Sequence, residues 1–162
     1  MKKKVLETIK ELLEEASIQY RMVHHQPTFT SQESAQARGE DISIGGKALV
    51  MKIGESFKLF VLSASLKMDS AAIKRHFQVK RTRFATKEEL QELTGLVPGS
   101  IPPFGRPILQ FELYVDNSIL RNEKIAFNAG SSTDSIIMSR EDYLQIAKPK
   151  EIFDFSVASE EA

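Results

Sequence analysis

Lys47 is the side chain in this 162-residue sequence whose setting most suggests chemistry. It follows Gly45-Gly46 and opens an otherwise apolar run, Ala48-Leu49-Val50-Met51. A lysine at the mouth of a buried strand is held rigidly and partly desolvated, so its ammonium can bind phosphate or carboxylate as a point charge. An edge lysine that snorkels to water would show the same pattern. The second feature is the stretch 95–107, which carries three glycines and four prolines in thirteen positions and so excludes helix and central strand. Within it, Gly99-Ser100-Ile101-Pro102-Pro103 can turn backbone N–H groups toward a cavity and form a clamp for a carbonyl or oxyanion. A stiff structural crossover would also read this way. The third is Gly130-Ser131-Ser132-Thr133-Asp134, hydroxyls at a strand end that could bind a small polar substrate or simply turn the chain.

Other chemistries find little support. With no cysteine, thiolate catalysis, disulfides and cysteine-ligated zinc are excluded. His24 and His25 are adjacent, so in a strand they point to opposite faces, and His76 falls late in a charged helix. No HExxH, paired-histidine spacing or His–carboxylate cluster marks a metal site, so neither metal nor cofactor is expected. There is no GxSxG elbow. His25 precedes Gln26-Pro27-Thr28 at a strand-to-helix corner, where it could rim a pocket or only shape the corner.

Charge narrows the partners. Basic and acidic side chains number 22 each, so the net charge is zero and the basic excess of a dedicated duplex-DNA binder is missing. Any nucleic-acid contact must be local or shared with another protein. No apolar run approaches the roughly 20 residues that span a bilayer. The basic start, Met1-Lys2-Lys3-Lys4, leads into no apolar signal core, so no membrane association and a cytoplasmic location are expected.

Several elements must position these groups. Val5, Leu6, Ile9, Leu12, Leu13 and Ala16 recur at helical spacing and predict an amphipathic helix over 3–16. Tyr20 to His24 reads as a strand. Thr30 with Glu33, and Thr86 with Glu89, fit capping boxes whose helices end at Gly39 and before Gly95. Ala48–Ile53 and Phe57–Leu62 read as a hairpin turned by Gly54-Glu55-Ser56, with Lys47 at its entrance. Asp69 caps a short helix through Phe77. Ile108–Val115 reads as the clearest strand, with Leu109, Phe111, Leu113 and Val115 on one face. Lys124–Ala129 and Ser135–Met138 are two more strands, Ser139 caps a last helix ending near Lys148-Pro149, and the polar tail from Ser156 is expected to fray. Clustered strands with inserted helices predict a single α+β domain over 1–162, with a mixed, largely antiparallel, barrel-like sheet and helices around it.

In this order the features resemble the YbaK-like family, small freestanding relatives of the editing domain inserted in bacterial prolyl-tRNA synthetases. The resemblance runs from about Ile18 to Phe155. It rests on Gly46-Lys47-Ala48-Leu49-Val50, the stretch from Leu93 through Gly105, Tyr114-Val115-Asp116 and Phe127-Asn128-Ala129-Gly130. It implies hydrolysis of the ester that joins a wrong amino acid to transfer RNA, probed at the acceptor end, with a proline-specific or related transfer RNA as substrate. Lys47 matches the family's hallmark lysine, which holds the terminal adenosine or phosphate. Gly99 through Pro103 matches its GxxxP loop, whose backbone holds the aminoacyl group while water attacks with help from the substrate's own hydroxyl. Gly130, Ser131 and Ser132 stand at the third wall of such a pocket, where relatives carry histidine, arginine, asparagine or small residues. A synthetase is an expected partner. The alternative is a non-catalytic module of this fold that binds transfer RNA, a nucleotide or a synthetase. Whether Lys47 and the Gly99–Pro103 loop face one cavity decides whether either reading has a site.

Overall fold

The computed structural model describes residues 4–159. The predicted helix start at residue 3 and most of the basic leader therefore lie outside the described residues. Helix α1 spans Val5–Glu15 and buries Ile9 and Leu13, four apart on one stripe. Strand β1 is Tyr20–His24 and helix α2 is Ser31–Arg38. The Thr30 hydroxyl caps α2 by accepting from the Glu33 N–H, but the Glu33 carboxylate accepts from the Phe29 N–H and not from that of Thr30, so only half of the expected box forms. Gly39, at φ 70°, ends the helix.

The hairpin comprises β2 (Gly46–Ile53) and β3 (Ser56–Ser63), with Lys47 opposite Leu62. Strand β4 (Leu66–Met68) follows, then α3 (Ser70–Phe77), capped by Asp69, and β5 (Thr82–Phe84). Helix α4 (Lys87–Thr94) carries a complete capping box, in which the Thr86 N–H donates to the Glu89 carboxylate at 2.8 Å. Beyond the Gly/Pro loop come β6 (Leu113–Asp116), β7 (Lys124–Asn128), β8 (Asp134–Ser139), α5 (Arg140–Ala147), β9 (Glu151–Phe153) and β10 (Ser156–Ala158).

Among the described residues ten strands form three sheets. The order β5-β2-β3-β6-β9 mixes antiparallel pairing on the β5 side with parallel pairing at β3-β6 and β6-β9, while β1-β8-β7 and β10-β4 are antiparallel. This is the mixed, largely antiparallel α+β architecture expected. Among the described residues the sheets do not close into a barrel. The five- and three-stranded sheets touch through a parallel bridge between Gly45 and Ala126, just before Lys47.

The central sheet is apolar on both faces because its residues alternate between two cores. Val50, Leu59, Val61, Leu113 and Val115 pack with Ile125, Phe127, Ile136 and Met138 of the three-stranded sheet and with α1. Met51, Ile53, Phe60, Leu62 and Tyr114 pack with Ile73 of α3 and Phe155.

Two expectations need correction. The predicted strand Ile108–Val115 exists only from Leu113, although Leu109 and Phe111 are buried as predicted. Residues 105–111 instead fold back, with the Ile108 and Leu109 N–H groups donating to Gly105 O and Arg106 N–H donating to Phe111 O. The tail is not frayed at Ser156, since β10 pairs with β4. Buried Asp116 pins that segment, accepting from Phe155 N–H at 2.6 Å and from the Ser156 hydroxyl at 2.7 Å.

Candidate functional site

Lys47 sits on the same side of β2 as Leu49, Met51 and Ile53, the side that meets the α3 core. On the opposite side, a Cβ on Gly46 would stand 2.7 Å from Ile125 Cδ1, so the glycine lets the two sheets meet beside the lysine. Lys47 does not run out to bulk water. Its Nζ donates to Leu66 O at 2.6 Å, and burial lowers its pKa. Among the described residues no carboxylate pairs with it.

The Gly/Pro loop is ordered and buried from Ser100 to Gly105. The Ser100 N–H and hydroxyl both donate to Val97 O, and Pro103 O accepts from the buried Tyr143 hydroxyl at 2.6 Å. Gly99 takes φ +88°, a conformation that glycine adopts without cost. Gly99 O accepts from Asn128 Nδ2 at 2.7 Å. The Gly99 and Ile101 N–H groups have no acceptor among the described residues.

Lys47, Gly99 and Ile101 line one cavity of about 220 Å³. Its remaining wall comes from the α2 entrance (Thr28 to Ser31, with Ser34), from Arg38, from Gly45-Gly46 and Asn128, and from the apolar Ala48, Leu49 and Ala64. No Asp or Glu belongs to this wall, so its potential is positive.

Arg38 and Asn128 are not among the site residues expected from the sequence, although Asn128 lies in the Phe127–Gly130 stretch that carries the resemblance, and together they organise the site. Asn128 Oδ1 accepts from Arg38 Nη2 at 3.0 Å and from the Ser135 hydroxyl at 3.1 Å, and Ser135 Oγ accepts from Arg38 Nε at 3.0 Å. With its oxygen held by these donors, the Asn128 carboxamide must present its N–H₂ to Gly99 O. The loop's cavity-facing backbone is therefore set by a guanidinium on another element. The sequence held one signal for this. Ser34, Ala35 and Arg38 form the buried stripe of α2 at helical spacing, and an arginine on such a stripe requires an explanation. Burial lowers the Arg38 pKa to about 10.

The other predicted residues fall elsewhere. Pro102 and Pro103 are buried behind the cavity. His25 lies one shell out, with Nε2 2.9 Å from Ser135 Oγ and Nδ1 2.8 Å from Gln26 O. Gly130, Ser131 and Ser132, with Ser100, line a second cavity of about 700 Å³ on the other side of the loop and form no wall of the Lys47 cavity. Gly130 has φ +78°, and a Cβ there would stand 2.8 Å from Val5, so this strand end packs closely against α1, while Ser132 O and Thr133 O accept from the Thr28 and His25 N–H groups. The Ser131 hydroxyl is then spent within its own turn, 2.8 Å from Asp134 Oδ2. His76 stacks on Phe153 at 3.7 Å, away from both cavities. Among the described residues, no three His, Cys, Asp or Glu side chains gather to hold a metal ion, and no helix is long and apolar enough to cross a membrane.

Sequence comparison points to one family, and comparison of structures shows a shared fold. The sequence model of the aminoacyl-tRNA editing domain matches residues 25–146. The chain is 34% identical over 145 residues to the multifunctional Ser/Thr-tRNA deacylase ProXp-y of Escherichia coli K12, covering 86% of each chain. It is 23% identical over 141 residues to the prolyl-tRNA editing protein ProX of Acetoanaerobium sticklandii, covering 84% of this chain and 86% of that one. A crystal structure of a proposed trans-editing enzyme for prolyl-tRNA synthetase superposes with a TM-score of 0.80 at 23% identity, covering 98% of this chain and all of the other.

Proposed function

The chain belongs to the aminoacyl-tRNA editing domain family, and from that premise we propose that it hydrolyses the ester of mischarged aminoacyl-tRNA in the cavity shared by Lys47, Gly99 and Ile101. The observation that carries this reading is that a desolvated lysine tethered to Leu66 O and two residues whose backbone N–H groups have no acceptor among the described residues belong to the wall of one small cavity. Water adds to the ester carbonyl carbon, and the Gly99 and Ile101 N–H groups donate to the oxyanion that forms there. The bond to the ribose oxygen then breaks, that oxygen takes up a proton, and the free amino acid and an intact RNA 3′ end leave. The vicinal ribose hydroxyl relays the proton from the attacking water. The Lys47 ammonium keeps two N–H groups after donating to Leu66 O and anchors the acceptor end.

A cavity of about 220 Å³ suits a small amino acid. Thr28, Thr30, Ser31 and Ser34 line it with hydroxyls that can read a polar side chain, and the ProXp-y relative is named for serine and threonine. We therefore take seryl and threonyl esters as the preferred substrates, on a proline-specific or related transfer RNA. The whole chain acts as one editing domain in the cytoplasm. It grips only the acceptor end, and a synthetase partner supplies the remaining RNA contacts that a neutral protein lacks.

The test is deacylation of a panel of transfer RNAs charged with serine, threonine, alanine, cysteine and proline. The expected result is turnover of the seryl and threonyl esters well above spontaneous hydrolysis. Binding of charged RNA without faster loss of any amino acid would leave a recognition module and overturn the enzyme.

Asn128→Asp separates the arrangement of the site from folding. The new carboxylate keeps Arg38 as a partner, but the donor to Gly99 O is lost and replaced by repulsion. Deacylation is expected to fall about 10–50-fold, less than the roughly 100–1,000-fold of removing an oxyanion donor itself, because the loop N–H groups remain and only their positioning is disturbed. The melting temperature is expected to stay near that of wild type, and thermal denaturation beside single-turnover rates checks both.

A further inference from the structure

Arg38 is only 8% exposed, yet its donors at Nε and Nη2 go to the neutral oxygens of Ser135 and Asn128. No carboxylate among the described residues lies within ion-pair distance of it. A buried charge without a counter-charge is costly, and a protein retains one where a ligand supplies the missing sign. The third nitrogen, Nη1, has no acceptor among the described residues. It lies 3.5 Å from where a Cβ on Gly45 would stand, and Gly45 and Arg38 line the Lys47 cavity together.

We propose that Arg38 is a phosphate-binding residue of this cavity, taking through Nη1 an oxygen of the phosphodiester that precedes the acylated nucleoside. This rests on the editing reading for the identity of the ligand, but not for its chemistry. The bound group must carry full charge before any reaction, because the guanidinium is uncompensated in the resting protein. The ester carbonyl is neutral at that stage, whereas a phosphodiester is charged and its oxygens match the guanidinium fork. The substrate's transient oxyanion is already served by the loop N–H groups.

The test compares AMP with adenosine as ligands, followed by NMR titration, and seryl-minihelix RNA with 3′-O-seryl-adenosine as substrates. Wild type should bind AMP at least about tenfold tighter than adenosine, in keeping with one charge-assisted contact, and salt should weaken that preference. Arg38→Gln should reduce the preference to about twofold, and Arg38→Lys should keep part of it. Asn128→Asp provides a variant in which Arg38 is neutralised from within the protein, so its AMP preference should also fall. Arg38→Gln should lose at least about tenfold more activity, mainly through KM, on the minihelix than on seryl-adenosine. Equal losses on the two substrates would mean that Arg38 acts on the ester or only holds Asn128, and would overturn the proposal. So would an AMP preference that survives Arg38→Gln. The AMP comparison needs no hydrolysis, so it still decides the role of Arg38 if no charged RNA is turned over and the editing reading fails.

Discussion

Lys47→Ala is expected to slow deacylation about a hundredfold, the scale of removing one preorganised charge from a partly buried site. Folding should be little changed. Lys47 opens β2, its neighbours in the ladder bond through the backbone, and its side chain makes one hydrogen bond, to Leu66 O. Losing that bond costs about 1 kcal/mol, offset by relief of a desolvated charge. Lys47→Arg should not restore full activity, because a planar guanidinium cannot replace a compact ammonium that donates to Leu66 O and to substrate at once. Single-turnover rates with seryl-tRNA, beside thermal denaturation, check both statements. A Lys47→Ala protein that deacylates at the wild-type rate would remove the lysine from the mechanism.

The second large effect is structural. A Cβ on Gly105 would stand 2.4 Å from Phe111 O and 3.2 Å from Leu113 Cβ. The first of these is a backbone atom, held by the bond from Arg106 N–H, so it cannot swing aside. Gly105→Ala must open the fold-back between the Gly/Pro loop and β6 and should cost about 3 kcal/mol, the upper end of overpacking effects. The melting temperature should drop by roughly 6–12 °C for a chain of this size. Gly39→Ala is the control. Gly39 has φ +70° but open space around the added Cβ, so only the left-handed conformation is penalised, at about 1 kcal/mol. Urea unfolding of the two variants should rank them in that order, and equal losses would contradict the close-approach argument.

What could be read from the sequence was what local chemistry decides. The caps at Thr30, Asp69, Thr86 and Ser139 are legible because each side chain bonds the amide three residues on. The β2-β3 hairpin was legible from its apolar runs and glycine turn. Alternation at Leu109, Phe111, Leu113 and Val115 reported burial faithfully but not conformation, because the fold-back at Gly105 depends on how closely two backbone segments approach. The three-residue strands β4, β5, β9 and β10 are too short to show a period and exist because of their partners. The site divides in the same way. Lys47 and the Gly99 loop announce themselves through local composition. Arg38 and Asn128 meet across 90 positions of sequence, so their pairing is visible only in the fold. Ser131-Ser132 line a different cavity from Lys47, a separation set by tertiary packing that strand-end composition cannot reveal.

The most direct measurement is a crystal structure of the protein with 3′-seryl-amino-3′-deoxyadenosine, in which a stable amide replaces the ester. The seryl group is expected in the cavity of about 220 Å³, its carbonyl oxygen within hydrogen-bond distance of the Gly99 or Ile101 N–H and Lys47 beside the nucleoside. A seryl group seated instead in the cavity of about 700 Å³ against Ser131 and Ser132 would contradict it.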